Sequence, residues 1–182
     1  MEADPAMPLL SAGNATLVIV DFQARLMPAI HDGARLVANA KRLVDAAGLL
    51  GVPILMTEQN PAGLGHTVPE LSGAGPVVAK MSFDACVESA FLEALAGDGD
   101  LVLCGCETHV CLGQTALSLL EHRRRVVVVQ DAVGSRLPES KEVALRRLGR
   151  HGAQIVTTEM VLFEWLRSAT HPRFREVLKL VK

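Results

Sequence analysis

Thr16-Leu17-Val18-Ile19-Val20-Asp21 and Asp100-Leu101-Val102-Leu103-Cys104-Gly105 decide the fold. Between their first and last residues these runs are apolar, with no polar alternation. Continuous apolar runs of this length mark strands buried on both faces, as in a parallel sheet covered by helices on either side. Outward from them, further runs follow at Pro53-Ile54-Leu55-Met56-Thr57, Val77-Val78-Ala79-Lys80, residues 125–130 with four consecutive valines, and residues 154–158. Helical periodicity fills the intervals at 34–50, 84–96, 108–122 and 140–150, with terminal helices over 160–167 and 172–179. Gly51 stops the first helix, and Asp84 and Thr108 are read as N-caps of the second and third. Strands alternating with helices mean βαβ units. The predicted fold is α/β: one doubly wound, mostly parallel six-stranded sheet of order 3-2-1-4-5-6. Residues 1–182 are read as a single domain, with 1–14 a poorly ordered lead-in. Residues 58–75, rich in Pro and Gly, read as a long loop of functional character.

Composition narrows the function. The chain has 182 residues, 49% of them hydrophobic, and a formal net charge of −2. That charge offers no general attraction to nucleic acid or to an anionic membrane. Aromatics are 3% of residues, with Trp165 alone and no Tyr, so platforms for base stacking are few. The basic run Arg123-Arg124-Arg125 beside His122 reads as a solvated helix end. No targeting peptide or membrane-length apolar run is present in the sequence. The four cysteines, Cys86, Cys104, Cys106 and Cys111, do not resemble a secreted disulfide framework, which predicts a reducing, cytoplasmic setting. Strand 1 is followed by Asp21-Phe22-Gln23 rather than a glycine-rich phosphate loop, which argues against a nucleotide enzyme.

In open α/β sheets, ligands bind beyond the carboxyl ends of the strands, at the switch point of strand order. That rule selects Asp21 at the end of strand 1, Lys80 at the end of strand 3, and Cys106-Glu107-Thr108-His109-Val110-Cys111 after strand 4. Strands 1 and 4 are neighbours in the expected order, so Asp21 and Cys111 should flank one crevice. Lys80 starts two strands from Asp21, roughly 10 Å away at ordinary strand spacing, and must reach across. Singly, each residue has a plainer explanation: Asp21 as a turn cap, Lys80 as a solvated strand end, Cys111 as a small buried hydrophobe. Their convergence favours chemistry. In the first turn of a helix, free N–H groups, the helix dipole and a nearby Lys are expected to lower the pKa of Cys111, and the same N–H groups can hold an oxyanion.

At these residues the sequence resembles the isochorismatase-like cysteine hydrolase superfamily. The resemblance runs from about Thr16 to the C-terminus. It rests on Leu17-Val18-Ile19-Val20-Asp21-Phe22-Gln23, the strand end at Lys80, Cys104 through Cys111, and Asp131-Ala132-Val133-Gly134-Ser135-Arg136. It is most similar to the isochorismatase domain-containing group, through Thr57-Glu58-Gln59-Asn60-Pro61, Gly63-Leu64-Gly65-His66-Thr67, Thr157-Thr158-Glu159 and Phe163-Glu164. The resemblance implies an Asp–Lys–Cys triad at Asp21, Lys80 and Cys111, and a non-prolyl cis peptide at Cys106–Glu107. It also implies hydrolysis of a small-molecule amide-type C–N bond through a thioester, in a homo-oligomer. Nicotinamidases of the superfamily bind a metal through an Asp and two His after strand 2. Here that stretch holds only His66, so no metal and no cofactor are expected.

Val110, Gln23, Phe22, Phe83 and Glu107 are the candidate substrate or oxyanion residues, being next to the three catalytic candidates. Glu58 and Gln59 are placed at the same crevice, and His109 and His66 are read as structural. Two competing classes remain open: a non-catalytic, ligand-binding or interaction protein that keeps the fold, and a metal or redox site on Cys104, Cys106 and Cys111. The apolar face of Leu162, Phe163, Trp165 and Leu166 is either core or a subunit interface.

Overall fold

The computed structural model describes residues 9–95 and 97–182. Six strands form one sheet: β1 (Ala15–Val20), β2 (Ile54–Gln59), β3 (Val77–Lys80), β4 (Asp100–Cys106), β5 (Val126–Gly134) and β6 (Gln154–Val156). Every pairing is parallel and the order is β3-β2-β1-β4-β5-β6, the order predicted. The helices are α1 (Gly33–Leu50), α2 (Pro61–Leu64), α3 (Ser89–Ala94), α4 (Cys111–Glu121), α5 (Pro138–Arg150), α6 (Thr158–Leu166) and α7 (Phe174–Leu178).

The period-two geometry of strands divides their side chains between two cores. Leu17, Ile19, Met56, Val102, Cys104, Val127 and Val129 pack on one face, with Leu36 and Leu43 of α1 and Leu162, Trp165 and Leu166 of α6. Val18, Val20, Leu55, Leu101, Leu103, Val126 and Val128 pack on the other, with Phe91 of α3, Leu112 and Leu119 of α4 and Leu148 of α5. The apolar stripe of α6 is thus core, apart from the exposed Phe163.

Several element boundaries depart from expectation for local reasons. Residues 84–96 do not form one helix. Asp84 Oδ1 accepts the Cys86 N–H at 2.8 Å, and the resulting 3₁₀ turn Ala85–Val87 separates Asp84 from α3. Helix α4 starts at Cys111 rather than Thr108, because the Thr108 N–H is bonded to the Gly134 carbonyl at the end of β5. Strand β2 runs on through Glu58 and Gln59, so the long loop starts later and contains α2. Of the expected loose lead-in, residues 1–8 lie outside the described residues. Leu10 is not loose: it is buried, and its N–H bonds Glu164 Oε2 at 2.8 Å.

Gly105 sets how closely β1 and β4 approach beside the site. Its φ is +137°, and a Cβ there would lie 2.0 Å from the Val20 carbonyl oxygen. Gly105→Ala is expected to destabilise the protein by about 2–5 kcal/mol through backbone strain and overpacking. A urea-unfolding midpoint equal to wild type would refute this close contact.

Candidate functional site

Three parallel strand ends build the site. Val20 of β1 is in register with Thr57 of β2, and Gln59 of β2 is in register with Lys80 of β3. The chain leaves β1 at Asp21 with φ +52°, a left-handed conformation that is uncommon outside glycine. The Asp21 N–H bonds the Thr57 carbonyl at 3.2 Å, which fixes that exit.

Lys80 does cross β2. Its ammonium lies 2.9 Å from Asp21 Oδ2, with both side chains wholly buried. It also donates to the carbonyls of Ser82 at 3.2 Å and Phe83 at 3.1 Å, which uses all three of its protons. Thr57 Oγ1 donates to the other carboxylate oxygen, Asp21 Oδ1, at 2.6 Å.

The third side chain comes from the first residue of α4. Cys111 lies close enough to Asp21 and Lys80 to feel the charge of both. Residue exposures are 7% at Cys111, 3% at Lys80 and 0% at Asp21, so the thiol is the part of this cluster that a substrate meets first.

The expected lowering of the Cys111 pKa is reversed. Burial pushes the thiol up to about 12, and the Asp21 carboxylate adds to the rise, while Lys80 pulls the other way. The helix terminus and a paired lysine do not offset desolvation beside an anion. Burial beside an anion favours the protonated thiol, and Asp21 is the carboxylate beside it.

The neighbouring candidates divide sharply. The Val110 N–H is not available to an oxyanion, because it bonds the Glu107 carbonyl at 3.0 Å. Among the described residues the Cys111 N–H makes no backbone hydrogen bond outside its helix. Phe22 is fully buried in the core on the α1 side of the sheet. Gln23 is also closed off. Its Oε1 accepts the Gln59 N–H at 2.9 Å, and its Nε2 donates to the carbonyls of Gln59 and Gly65 at 2.9 and 2.6 Å. Glu107 accepts from the Arg136 backbone N–H at 2.9 Å and from its guanidinium at 3.1 Å, tying the β4 and β5 exits together. Phe83, by contrast, is 51% exposed beside the Lys80 ammonium that its carbonyl holds.

Other rim residues serve the loop after β2. Glu58 accepts from the Thr67 N–H at 2.6 Å and its hydroxyl at 2.8 Å, and pairs with His66 Nδ1 at 2.9 Å. Burial pushes its carboxyl up, but these hydrogen bonds outweigh that and hold it below the usual range. The His109 ring nitrogen Nδ1 lies 2.9 Å from Ser135 Oγ.

Cys104 and Cys106 face the α1 side of the sheet and Cys111 the α4 side, so the three thiols do not converge as a ligand set. The peptide bond Cys106–Glu107 is cis. Among the described residues no group of three or more His, Cys, Asp or Glu is arranged to hold a metal, and no helix is long and apolar enough to cross a membrane. Thr57 was overlooked by sequence reasoning. Its signal was a hydroxyl closing an apolar strand at the position that strand order sets beside Val20.

Comparison with known proteins agrees with this architecture. The family model for the isochorismatase domain matches residues 15–160. Isochorismatase domain-containing protein 2 of Danio rerio is 39% identical over 175 residues, covering 94% of this chain and 89% of its own. The structure of MAR1 ribonuclease from Caenorhabditis elegans superposes with a TM-score of 0.91 at 34% identity, over 95% of this chain and 92% of that one. The Escherichia coli YcaC gene product, described as an octameric hydrolase of unknown specificity, superposes with a TM-score of 0.86 at 26% identity, over 97% of each chain. The chain belongs to the isochorismatase domain family.

Proposed function

We propose that the protein is a cysteine hydrolase that cleaves a small amide-type C–N bond, with Cys111 as nucleophile, Asp21 as proton carrier and Lys80 holding Asp21 in place. The observation that carries this reading is the thiol at the start of α4 set beside a buried carboxylate whose two oxygens are held by Thr57 and Lys80. Asp21 takes the proton from Cys111 as the sulfur attacks the carbonyl carbon. The Cys111 N–H stabilises the oxyanion. Collapse breaks the C–N bond, and the leaving amine departs with the proton that Asp21 had taken. Water then hydrolyses the thioester, with Asp21 as base.

Phe83 is assigned to the rim of the pocket by its exposure next to Lys80. The unpaired state of all four cysteines supports a reducing, cytoplasmic compartment. The likeness to an octameric hydrolase supports a homo-oligomer. A net charge of −2 and 3% aromatic residues give no support to carrying the ribonuclease name of the nematode relative across to this chain.

Two experiments test the reading. On a panel of amides and activated esters, Cys111→Ala is expected to abolish turnover. Asp21→Asn is expected to lower amide kcat by about 10²–10⁴-fold, the usual contribution of a positioned acid–base group. Mass spectrometry of the quenched wild type should find an acyl group on the peptide containing Cys111. Undiminished turnover by the Ala variant would overturn the mechanism.

The second experiment uses pH. Without substrate, only the thiolate reacts with iodoacetamide. With the thiol near 12, labelling of Cys111 should rise about tenfold per unit between about pH 7 and 10, without a plateau. Wild-type kcat/KM should not climb with that slope, because Asp21 removes the proton within the same step. A labelling plateau near neutrality would mean a preformed thiolate instead.

A further inference from the structure

We propose that Thr57 is a positioning residue, which aims the Asp21 carboxylate so that the proton taken from Cys111 is delivered to the leaving amine. This inference rests on the hydrolase reading above.

Thr57 holds Asp21 at two points. Its carbonyl accepts the Asp21 N–H at 3.2 Å, and its hydroxyl donates to Asp21 Oδ1 at 2.6 Å. The first tie fixes the left-handed backbone at Asp21, and the second fixes the rotation of the carboxylate about its own axis. Lys80 alone would not do the second. A single ammonium on Oδ2 leaves the carboxylate free to turn about that contact, whereas donors on both oxygens set its plane. Thr57 is buried and sits between β1 and β3, in register with Val20 and Val78. Solvent therefore cannot replace its hydroxyl.

The groups facing Asp21 have distinct parts. Lys80 comes from β3, Thr57 from β2 and Cys111 from α4, and the Cys106 thiol of β4 is close enough to feel the Asp21 charge. Cys106 is paired with Met27 Sδ at 3.8 Å and stays on the far face of the sheet. Lys80 supplies the counter-charge and Cys111 the proton. Thr57 carries no charge, and its hydroxyl proton is given to Asp21 Oδ1. What it contributes is direction, and misdirecting a reacting group by about 1 Å can cost on the order of 10²-fold in rate.

The role has a signature in leaving-group dependence. Both 4-nitrophenyl acetate and 4-nitroacetanilide need the thiol to lose its proton and attack. In the ester, 4-nitrophenolate leaves unaided when the C–O bond breaks. In the anilide, the C–N bond breaks only as nitrogen gains a proton. A misaimed Asp21 therefore impairs the anilide more than the ester.

The test measures kcat and KM for both compounds in wild type, Thr57→Val, Thr57→Ala, Thr57→Ser and Cys111→Ala. The anilide-to-ester ratio of kcat/KM, which reports acylation and not the deacylation step the two compounds share, is expected to fall about 10- to 100-fold in the Val and Ala variants and to recover in Thr57→Ser. Loss of folded protein lowers both rates by the same factor and leaves the ratio untouched, so either of the Val and Ala variants suffices. An unchanged ratio, or a Ser variant as defective as Val, overturns the proposal. Failure of the underlying hydrolase reading would look different: wild type no better than Cys111→Ala on both compounds.

Discussion

The structure depends on one buried ion pair, Lys80 with Asp21, made across an intervening strand. Neither side chain has any exposed surface. Removing a lysine and an aspartate from water costs several kcal/mol per ion, and the cost is recovered only with good geometry and full hydrogen bonding. Here it is recovered: the ammonium has Asp21 and two carbonyls, and the carboxylate has Lys80 and Thr57. Each partner demands something of the fold. The three strands must end level, the chain must leave β1 in a left-handed turn, and residues 82 and 83 must bend back over β3. A pair of apolar side chains of the same volume would ask for none of this and would be as stable or more so. The pair therefore has to be understood through what it does to its neighbour, Cys111.

Its effect on that neighbour is not the familiar one of a lysine acidifying a cysteine. The charge of Lys80 is spent on Asp21, and what Cys111 meets is a nearly neutral pair in a place with little water. Such an environment keeps the proton on sulfur. It also places a carboxylate, Asp21, beside that proton. On the proposed reading, the arrangement stores the nucleophile as a thiol and couples its activation to the approach of an electrophile. For amide cleavage this has an advantage: the proton is held where the departing amine will need it, rather than lost to solvent.

The sheet order, the parallel pairing and the meeting of strand ends 1, 3 and 4 were legible because they follow from alternation of elements and from continuous apolar runs, which report burial directly. The positions of Asp21, Lys80 and Cys111 followed from the rule about carboxyl ends. Less legible was anything decided by competition between a side chain and the backbone. Asp84 takes a backbone N–H and cuts short a helix that periodicity favoured. The Thr108 N–H is claimed by the end of β5, and α4 starts three residues late as a result. The sign of the Cys111 pKa change was misjudged because a helix start is visible in sequence, whereas the depth of burial and the contact with Asp21 are not. Thr57 was missed for a related reason: a threonine in a β-strand is ordinary, and only the register across β1 gives its hydroxyl a purpose.

Polar residues adjacent in sequence to the three candidates share a structural duty. Gln23, Glu58 and Glu107 stand next to reactive residues and carry groups that could grip a substrate, yet each is consumed in fastening a loop. Gln23 clamps residues 59 and 65, Glu58 holds 66 and 67, and Glu107 holds Arg136. This follows from where they are. The end of a parallel sheet leaves many backbone donors and acceptors without strand partners, and buried ones must be satisfied. Polar side chains at the rim are the nearest means of doing so, and they become framework. On the proposed reading, chemistry falls to the strand ends and the first residue of α4, and the clamps hold the loops around them. Selectivity between substrates would then fall to exposed residues of the rim such as Phe83, which can change without disturbing the ion pair beneath. A family built this way can keep one reaction centre and vary what it cleaves.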